Sequence, residues 1–373
     1  MDRHLHIVLH DVPYPPDYGG VVDPYYCIRA LHKRGIRLHL HCFEYGRKKQ
    51  SALEDLCDEI IYYERAEGHK GFSFSLPYIV GSRNNEQLWK RLEKDNYPVF
   101  IQGIHCSFGI FQDRLKNRKV VLRLFNVEAD YYDHLSKWER SLTKKAFYHH
   151  EKRLLARYEK NIAQKTTLLA FTAKDADIYK KRYGARDIHV LPPFMPASQA
   201  EGLTGSGNFA LYHGNLSVAE NEKAATWLLE KIFPELDIPF VIAGKNPSAK
   251  LIELAHQSSH TCIVENPSEE EMKDLIRKAQ LHILPSFTDT GIKLKLIHAL
   301  LSGRHVIVNP LMVEGSSLEK ICHVADNPAL LKYTIYRLYH TPFTDKDLAE
   351  RTAQLEEIFN EEKQSEFLLK LLY

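Results

Sequence analysis

Short apolar runs typical of β-strands alternate with helical stretches along the whole chain, and this alternation constrains the fold more than any other feature. In the first half the runs are Leu5–Leu9, Arg37–Phe43, Glu59–Tyr63, Val99–Ile104, Val120–Leu124 and Thr167–Phe171. In the second half they are Phe209–His213, Phe240–Ala243, Thr261–Val264, Leu281–Leu284 and His305–Val308. Because parallel strands are joined by helical crossovers, the pattern predicts two doubly wound α/β domains with Rossmann-like sheets.

The two sets of strands are separated by a stretch from Leu191 to Asn208 that is rich in Pro, Gly and Ser. Such a composition favours a linker. We therefore expect one domain over residues 1–192 and a second over 208–373, with the last helix able to pack back on the first domain. Ligands of open α/β sheets bind beyond the carboxyl ends of the strands, so we expect a cleft between the two domains.

Composition excludes several classes of partner and site. The 373 residues carry 50 Lys and Arg against 48 Asp and Glu, and a net charge of +2 gives no reason to propose nucleic acid. The six cysteines are scattered without a CxxC pair, which favours reduced thiols and a cytoplasmic protein over disulfides or zinc. No segment has the length and apolarity of a secretory leader or of a helix that crosses a bilayer.

The tract from Leu284 to Asn309 carries the strongest functional signal. It is typical of a strand, a glycine turn at Gly291 and a helix that starts close behind it. Amide groups in the first turn of such a helix attract a phosphate, and Lys293 and Lys295 add positive charge. The alternative is an ordinary βαβ unit whose lysines are solvated.

Other strand ends carry glycine, which lets main-chain amides approach a ligand closely. These positions are Gly19 and Gly20 after the first strand, before a helix predicted over Tyr25–Arg34, and Gly214 with Asn215 and Gly244 with Lys245 in the second half. A plain turn is the alternative for each of them. Their convergence on the sheet edges favours a ligand site more strongly than any one turn.

Three polar residues follow strands of the first half. His105 comes after the fourth strand, and Asn126 and Glu128 come after the fifth. His105 is a catalytic candidate or a structural histidine. Asn126 and Glu128 either bind a sugar or cap the following helix.

The order of these motifs resembles the large retaining family of GT-B fold glycosyltransferases that includes bacterial mannosyl- and glucosyltransferases, in its Gly-Ile-Lys-x-Lys branch. The resemblance covers most of the chain: Pro15 to Gly20 is similar to the amino-terminal glycine loop, His105 to the active-site histidine, and Leu284 to Asn309 to the donor-binding signature.

The resemblance implies transfer of a sugar from a nucleotide sugar, linked to UDP or GDP, to a glycan or lipid-linked acceptor in polysaccharide biosynthesis, with retention and without metal or cofactor. His105 and Lys293 would be catalytic, and Asn126 and Glu128 would face the acceptor. The donor-binding residues would be Gly19, Gly20, Gly214, Asn215, Gly244, Lys245, Gly291, Ile292, Lys295 and His298. The alternatives are a non-catalytic relative that binds a nucleotide sugar or a partner, and a nucleotide-sugar epimerase.

Four positions depart from the pattern of that family. Thr290 and His298 stand where it usually has two glutamates, and Asn215 and Asn221 stand where it has an arginine and a lysine for the diphosphate. Lys293 or Lys295 would have to replace the missing positive charge. His298 lies three residues after Lys295, hence on the same helix face, and would make a ribose contact.

A basic stretch runs from Lys137 to Lys165 and is predicted to form one long helix. Nine lysines and arginines alternate there with apolar residues such as Trp138, Leu142 and Leu154. A basic amphipathic helix is suited to anionic lipid and predicts peripheral contact with the inner membrane face. The alternative is a solvated helix whose apolar stripe packs on its own domain.

Overall fold

The computed structural model describes residues 2–139, 141–196, 201–288 and 293–373, apart from the side chains of His69 and Trp138. It has two compact units. One comprises Met1–Pro196 together with Phe359–Tyr373, and the other comprises Ala197–Ile358. Each is an α/β unit built on a parallel sheet, as the alternation of strands and helices predicts.

The first unit has a seven-stranded parallel sheet in the order β3-β2-β1-β4-β5-β6-β7. Its strands are β1 His4–Leu9, β2 Arg37–Glu44, β3 Glu59–Glu64, β4 Val99–Gln102, β5 Val120–Leu124, β6 Thr167–Ala170 and β7 Ile188–Val190. Its helices are α1 Gly19–Lys33, α2 Tyr78–Gly81, α3 Glu86–Leu92, α4 Phe108–Phe111, α5 Glu128–Trp138, α6 Leu142–Ile162 and α7 Ala173–Ile178. Every residue of β4, β5 and β6 is buried, because helices cover both faces of the sheet.

The second unit repeats this scheme with the strand order β10-β9-β8-β11-β12-β13. Its strands are β8 Ala210–Asn215, β9 Phe240–Lys245, β10 Thr261–Glu265, β11 Leu281–Leu284, β12 His305–Val308 and β13 His323–Val324. Its helices are α8 Ala219–Lys231, α9 Ala249–His256, α10 Glu269–Lys278, α11 Leu294–Ser302, α12 Pro310–Val313, α13 Pro328–Tyr339 and α14 Asp345–Ile358. A last helix, α15 Glu361–Leu372, returns to the first unit.

The main strands follow the predicted bounds within about two residues, whereas α1 starts six residues earlier than the sequence indicates. The predicted start at Tyr25 comes directly after Pro24, and proline is unfavourable inside a helix. In the structure the helix begins at Gly19 and contains Pro24, and Val21 and Val22 are buried. Burial of this first turn outweighs the lost backbone hydrogen bond.

The stretch predicted as a linker is held in place over its first part. Phe194 and Met195 are buried in the first unit. The buried Arg123 donates to the carbonyl of Leu191 at 2.8 Å, and the carboxylate of Asp23 accepts from the amide of Phe194 at 2.8 Å. Its last part belongs to the second unit, where Gly207 donates to a glutamine side chain at 2.6 Å. Residues 197–200 lie outside the described part.

Most of the basic stretch predicted as one long helix forms α6, and its first two residues are the end of α5, which packs against α6. Leu154 and Leu155 are buried against the first unit. The apolar stripe of α6 is thus largely covered by its own unit, as the alternative interpretation of that stretch holds.

Candidate functional site

Each sheet has one point at which the strand order reverses, and the carboxyl edge beside that point is where open α/β sheets bind ligands. In the first unit the reversal lies between β1 and β4, and in the second between β8 and β11. Most of the site residues predicted from the sequence follow one of these four strands.

At the edge of the first unit, the ring of His105 stacks on that of His10, with centroids 4.9 Å apart. His10 follows β1, and His105 lies in a short 3₁₀ turn after β4. Gly20 lies directly against them: a Cβ at this position would come within 2.8 Å of His10 Nε2. Gly19 has open space around it and carries no such constraint.

Both histidines of this stack are uncharged at neutral pH. Burial, with the nearby cations Arg83 and Arg65, lowers the pKa of His10 to about 3. Burial also lowers the pKa of His105 well below its usual value. The buried Nδ1 atoms of both rings have no hydrogen-bond partner among the described residues. His105 is therefore a neutral imidazole whose Nδ1 is buried and unpaired among the described residues.

The same edge holds charged and aromatic residues that the sequence patterns did not single out. Asp11 is buried and accepts a hydrogen bond from Tyr18 at 2.6 Å. Arg83 is also buried, and Arg65 lies over the ring of Tyr45 at 4.0 Å. Arg65 directly follows β3, and Arg83 lies just after α2, but neither belongs to a glycine motif or another motif that the sequence patterns singled out.

The two acceptor-side candidates lie at the start of α5. Neither caps the helix: the carboxylate of Glu159 on α6 accepts from the amides of Glu128 at 2.7 Å and Ala129 at 3.2 Å. Glu128 is 4 % exposed, and burial together with the neighbouring Glu159 raises its pKa well above the usual range. Burial favours a structural role for Glu128, whereas Asn126 is half-buried and keeps its place at the edge.

At the edge of the second unit, β8 and β9 come unusually close. A Cβ at Gly244 would lie 1.9 Å from the carbonyl oxygen of Gly214, so only glycine fits there. Asn215 turns the chain after β8, because its Oδ1 accepts from the amide of Ser217 at 3.1 Å. Lys245 ends β9 with an exposed side chain.

Lys295 on α11 reaches this turn from the other side of the reversal point. Its ammonium donates to Asn221 Oδ1 at 2.8 Å and to the hydroxyl of Tyr212 at 3.1 Å. Asn221 in turn donates to the carbonyl of Asn215 at 2.8 Å. Burial lowers the pKa of Lys295 to about 8. A positive charge from α11 thus stands beside two of the asparagines that replace basic residues of the resembled family.

A carboxylate already lies next to the two lysines. Glu220, in the first turn of α8, accepts from the hydroxyl of Ser286 at 2.7 Å. Although burial acts in the other direction, attraction by Lys293 and hydrogen bonds from Ser286 and Thr288 hold the pKa of Glu220 below its usual value. Lys293 itself donates to the hydroxyl of Thr288 at 3.2 Å.

Only some of the other residues predicted at this edge lie in the described part of the chain. His298 lies on α11 and is exposed to solvent. Gly291, Ile292 and Thr290 lie outside the described residues. The helix after the glycine turn begins at Leu294, with Lys293 as its N-cap. Lys293 therefore stands at a helix N-terminus, as the expected anion site requires.

Within the described ranges no group of three or more His, Cys, Asp or Glu side chains is arranged to hold a metal ion. Nor does any described helix combine the length and apolarity needed to cross a membrane.

Comparisons of the sequence find a family model and a curated relative that are similar to this chain. Residues 207–340 match the model of the family described as Glycosyl transferases group 1. A curated relative, an uncharacterized 44.6 kDa protein in the cps region of Klebsiella pneumoniae, is 26% identical over 328 residues, which cover 83% of this chain and 84% of the relative.

Solved structures with low sequence identity share the whole fold. Sucrose-phosphate synthase from Thermosynechococcus elongatus superposes with a TM-score of 0.72 at 12% identity, covering 99% of this chain and 98% of that one. HepE from Anabaena, in complex with UDP and glucose, superposes with a TM-score of 0.66 at 12% identity and 99% coverage of both chains. The chain has the two-domain GT-B fold.

Proposed function

We propose that this protein is a retaining glycosyltransferase that moves a hexose from a UDP- or GDP-linked donor to a glycan or lipid-linked acceptor, without a metal ion. The proposal depends mainly on the positions of Lys293 and Lys295 at the point where the strand order of the second sheet reverses. Lys295 is bonded to Asn221 at the turn that follows β8, and Lys293 stands close to Lys295 at the N-terminus of α11, where a diphosphate would be attracted. The match of residues 207–340 to a glycosyltransferase family and the UDP complex of HepE support this assignment.

The chemistry follows from charge. When the bond between the anomeric carbon and the diphosphate breaks, its electron pair stays with the departing phosphate oxygen. Lys293 and Lys295 would stabilise that charge, while the sugar becomes oxocarbenium-like. His105, as a neutral imidazole, would hydrogen-bond a hydroxyl of the transferred sugar. The acceptor oxygen forms the new bond, and its proton leaves with the diphosphate.

The assignment is tested on the full chain with a panel of UDP, GDP and ADP sugars, with and without acceptor, and by calorimetry with nucleoside diphosphates. Replacing both Lys293 and Lys295 by Ala should weaken binding of the preferred nucleoside diphosphate by roughly 2–4 kcal/mol, because two charged hydrogen-bond donors are lost. Lys250→Ala, an exposed lysine of α9, is the matched control. Unchanged affinity in the folded double variant would remove the site from this edge.

Turnover also separates the alternatives. A non-catalytic relative binds a nucleotide sugar without transfer, and an epimerase changes the donor sugar without an acceptor. The retention of configuration, which the resemblance implies, is read from the anomeric signal of the product by NMR. Addition of EDTA should leave the rate unchanged.

A lipid-linked acceptor would bring the protein to a membrane surface, and α6 offers a basic side for that contact. Its exposed cations make no ion pair or hydrogen bond within the described residues: they are Lys144, Lys145, Arg153, Arg157 and Lys160. Leu142, at the start of the same helix, is 82% exposed. A cytoplasmic location fits this assignment, since the inner leaflet carries the anionic lipid that attracts such cations.

Vesicle co-sedimentation tests this contact. The protein should bind vesicles that contain anionic lipid at low salt and should dissociate at high salt, because the attraction is electrostatic. Replacing Lys144, Lys145 and Arg153 by Gln should abolish binding, whereas Lys180→Gln with Lys181→Gln, on the exposed basic turn that follows α7, should not. Absence of binding at low salt would refute the contact.

A further inference from the structure

Arg83 carries a buried charge without a carboxylate partner. It is 3% exposed, and its guanidinium donates to neutral oxygens, from Nε to the carbonyl of His10 at 2.9 Å and from Nη1 to the carbonyl of Ile79 at 3.0 Å. Its Nη2 has no acceptor in the described part of the chain. An uncompensated charge is expensive to bury, so its retention calls for an anion.

Arg65 stands next to it and is also without an ion pair in the described ranges. Its guanidinium lies 4.0 Å over the ring of Tyr45, and its Nε donates to the hydroxyl of Ser82 at 3.2 Å. The stacking fixes the guanidinium plane, and both terminal nitrogens are without an acceptor among the described residues. The two cations are close neighbours, because Arg83 Nη1 also donates to the hydroxyl of Ser82, at 3.5 Å. Burial and repulsion by Arg65 lower the pKa of Arg83.

One carboxylate, Asp11, attracts Arg83, but it is already engaged. Asp11 accepts from the amide of Val12 at 2.8 Å and from the hydroxyl of Tyr18 at 2.6 Å, and Arg47 lies 3.8 Å from it. Asp11 therefore has other hydrogen bonds to maintain. Its charge does not neutralise two further arginines.

The arginine pair, Arg65 with Arg83, adjoins the catalytic candidate. Both cations lower the pKa of His10 and of His105. The buried Nδ1 atoms of those two rings have no hydrogen-bond partner among the described residues. Arg83 is bonded to the backbone of His10, so the unused guanidinium donors lie at the carboxyl edge that carries the histidine stack. A neutral sugar would leave the positive charge uncompensated.

We infer that the arginine pair binds an anionic group of the acceptor, a phosphate or a carboxylate carried on a sugar. Two guanidinium groups match the paired oxygens of either anion and fix its orientation. The inference rests on the proposed function in one respect, which is that the bound molecule is the acceptor. It narrows the acceptor from any glycan to one that carries negative charge close to the accepting hydroxyl.

The experiment compares glucose, glucuronate and glucose 6-phosphate as ligands of the full chain, by NMR titration with and without saturating nucleoside diphosphate. We expect one anionic sugar to bind at least about tenfold more tightly than glucose, because hydrogen bonds to charged groups are strong. If glucuronate binds more tightly than glucose 6-phosphate, the natural group is a carboxylate; the opposite order identifies a phosphate.

Three variants locate the effect. Arg65→Gln should remove the preference for the anion, and Arg83→Lys, which keeps the charge but loses the planar fork, should reduce it. Arg29→Gln is the matched control, because Arg29 also stacks on tyrosines of the first unit, at 5.9 Å and 5.6 Å, but lies on α1 away from the edge. It should bind like the parent protein.

Equal binding of the three sugars, or a preference that survives Arg65→Gln, would overturn the inference. It would also fall if Arg65→Gln weakened nucleoside diphosphate binding instead, since the pair would then serve the donor. Sugar transfer with no charge preference refutes the inference and leaves the proposed function standing. Arginine-dependent anion binding without any sugar transfer supports the anion site and refutes the proposed function.

Discussion

Lys295 shows most clearly how surroundings set the charge of a single residue. Its folded-state pKa is lowered by burial to about 8, below the ordinary 10.5 of lysine. Binding of a diphosphate needs the charged form, which is populated below that pKa and lost as pH rises through it. Affinity for UDP or GDP, measured by calorimetry between pH 6.5 and 9.5, should therefore fall above about pH 8.

The control for this pH dependence is Lys295→Arg, whose guanidinium stays charged over the whole range. Its affinity should vary less between pH 7 and 9.5 than that of the parent protein. An equally steep decline in both proteins would assign the titration to another group.

His105 is the residue for which binding and chemistry should separate. If it contacts the sugar in the transition state, His105→Ala should lower turnover roughly 10- to 100-fold, the value of one strong hydrogen bond. Nucleoside diphosphate affinity should be unchanged, because the proposed diphosphate site lies in the other unit. His32→Ala, an exposed histidine at the end of α1, is the control. Normal turnover of His105→Ala would make the histidine structural.

At the scale of elements, the start of α5 depends on a pair of buried carboxyl groups. Glu159 receives hydrogen bonds from two amides of α5 and from the hydroxyls of Tyr179 at 2.8 Å and Tyr183 at 2.9 Å. Four donors stabilise its ionised form, so the neighbouring Glu128 is the group that holds a proton. Because the pKa of Glu128 is raised from 4.5 to about 8 in the folded protein, the free energy of unfolding should fall as the pH rises from about 4.5 to about 8.

Glu128→Gln mimics the protonated acid and should remove this loss. We expect the variant to be more stable than the parent by about 1–3 kcal/mol at pH 8 and to be nearly equal at pH 4.5. Urea unfolding at the two pH values measures the difference, with the exposed Glu54→Gln as the control. A variant that is less stable at pH 8 would show that Glu128 is ionised in the folded protein.

At the scale of the whole molecule, the chain ends in the unit where it began. Helix α15 buries Leu368 and Leu372 in the core of the first unit. Gln364 donates to the carbonyl of Pro192 at 3.0 Å, and the hydroxyl of Tyr373 donates to the carbonyl of His4 at 2.7 Å. The last 15 residues thus complete a core whose other parts lie more than 150 residues earlier in the chain.

Leu368→Ala should therefore lower the stability of the first unit by about 2–5 kcal/mol, because it leaves a cavity in a fully buried site. Thermal unfolding followed by near-UV circular dichroism reports the loss. Lys370→Ala, on the exposed side of the same helix, should change stability by less than about 0.5 kcal/mol. Equal stability of parent and Leu368→Ala would mean that α15 is dispensable to the first unit.

Much of the fold was predictable from the sequence because its signals are local. Buried parallel strands are short apolar runs, and most of their bounds need no partner to be recognised. Edge strands such as β7 and β13, with three and two residues, give no such signal. The start of α1 was wrong because Pro24 is a local signal against a helix, whereas burial of Val21 and Val22 is a tertiary effect.

The sequence by itself determined the two parallel α/β units and the strand ends at which His105, Gly214, Gly244 and the lysines stand, because hydrophobic period and glycine position are properties of neighbouring residues. Tertiary structure decided what those residues meet. It set Lys295 against Asn221, buried Glu128 beside Glu159, and brought Arg65 and Arg83 to His105. These contacts join residues from 22 to 74 positions apart, and charge and burial depend on distance in space, which no local pattern encodes.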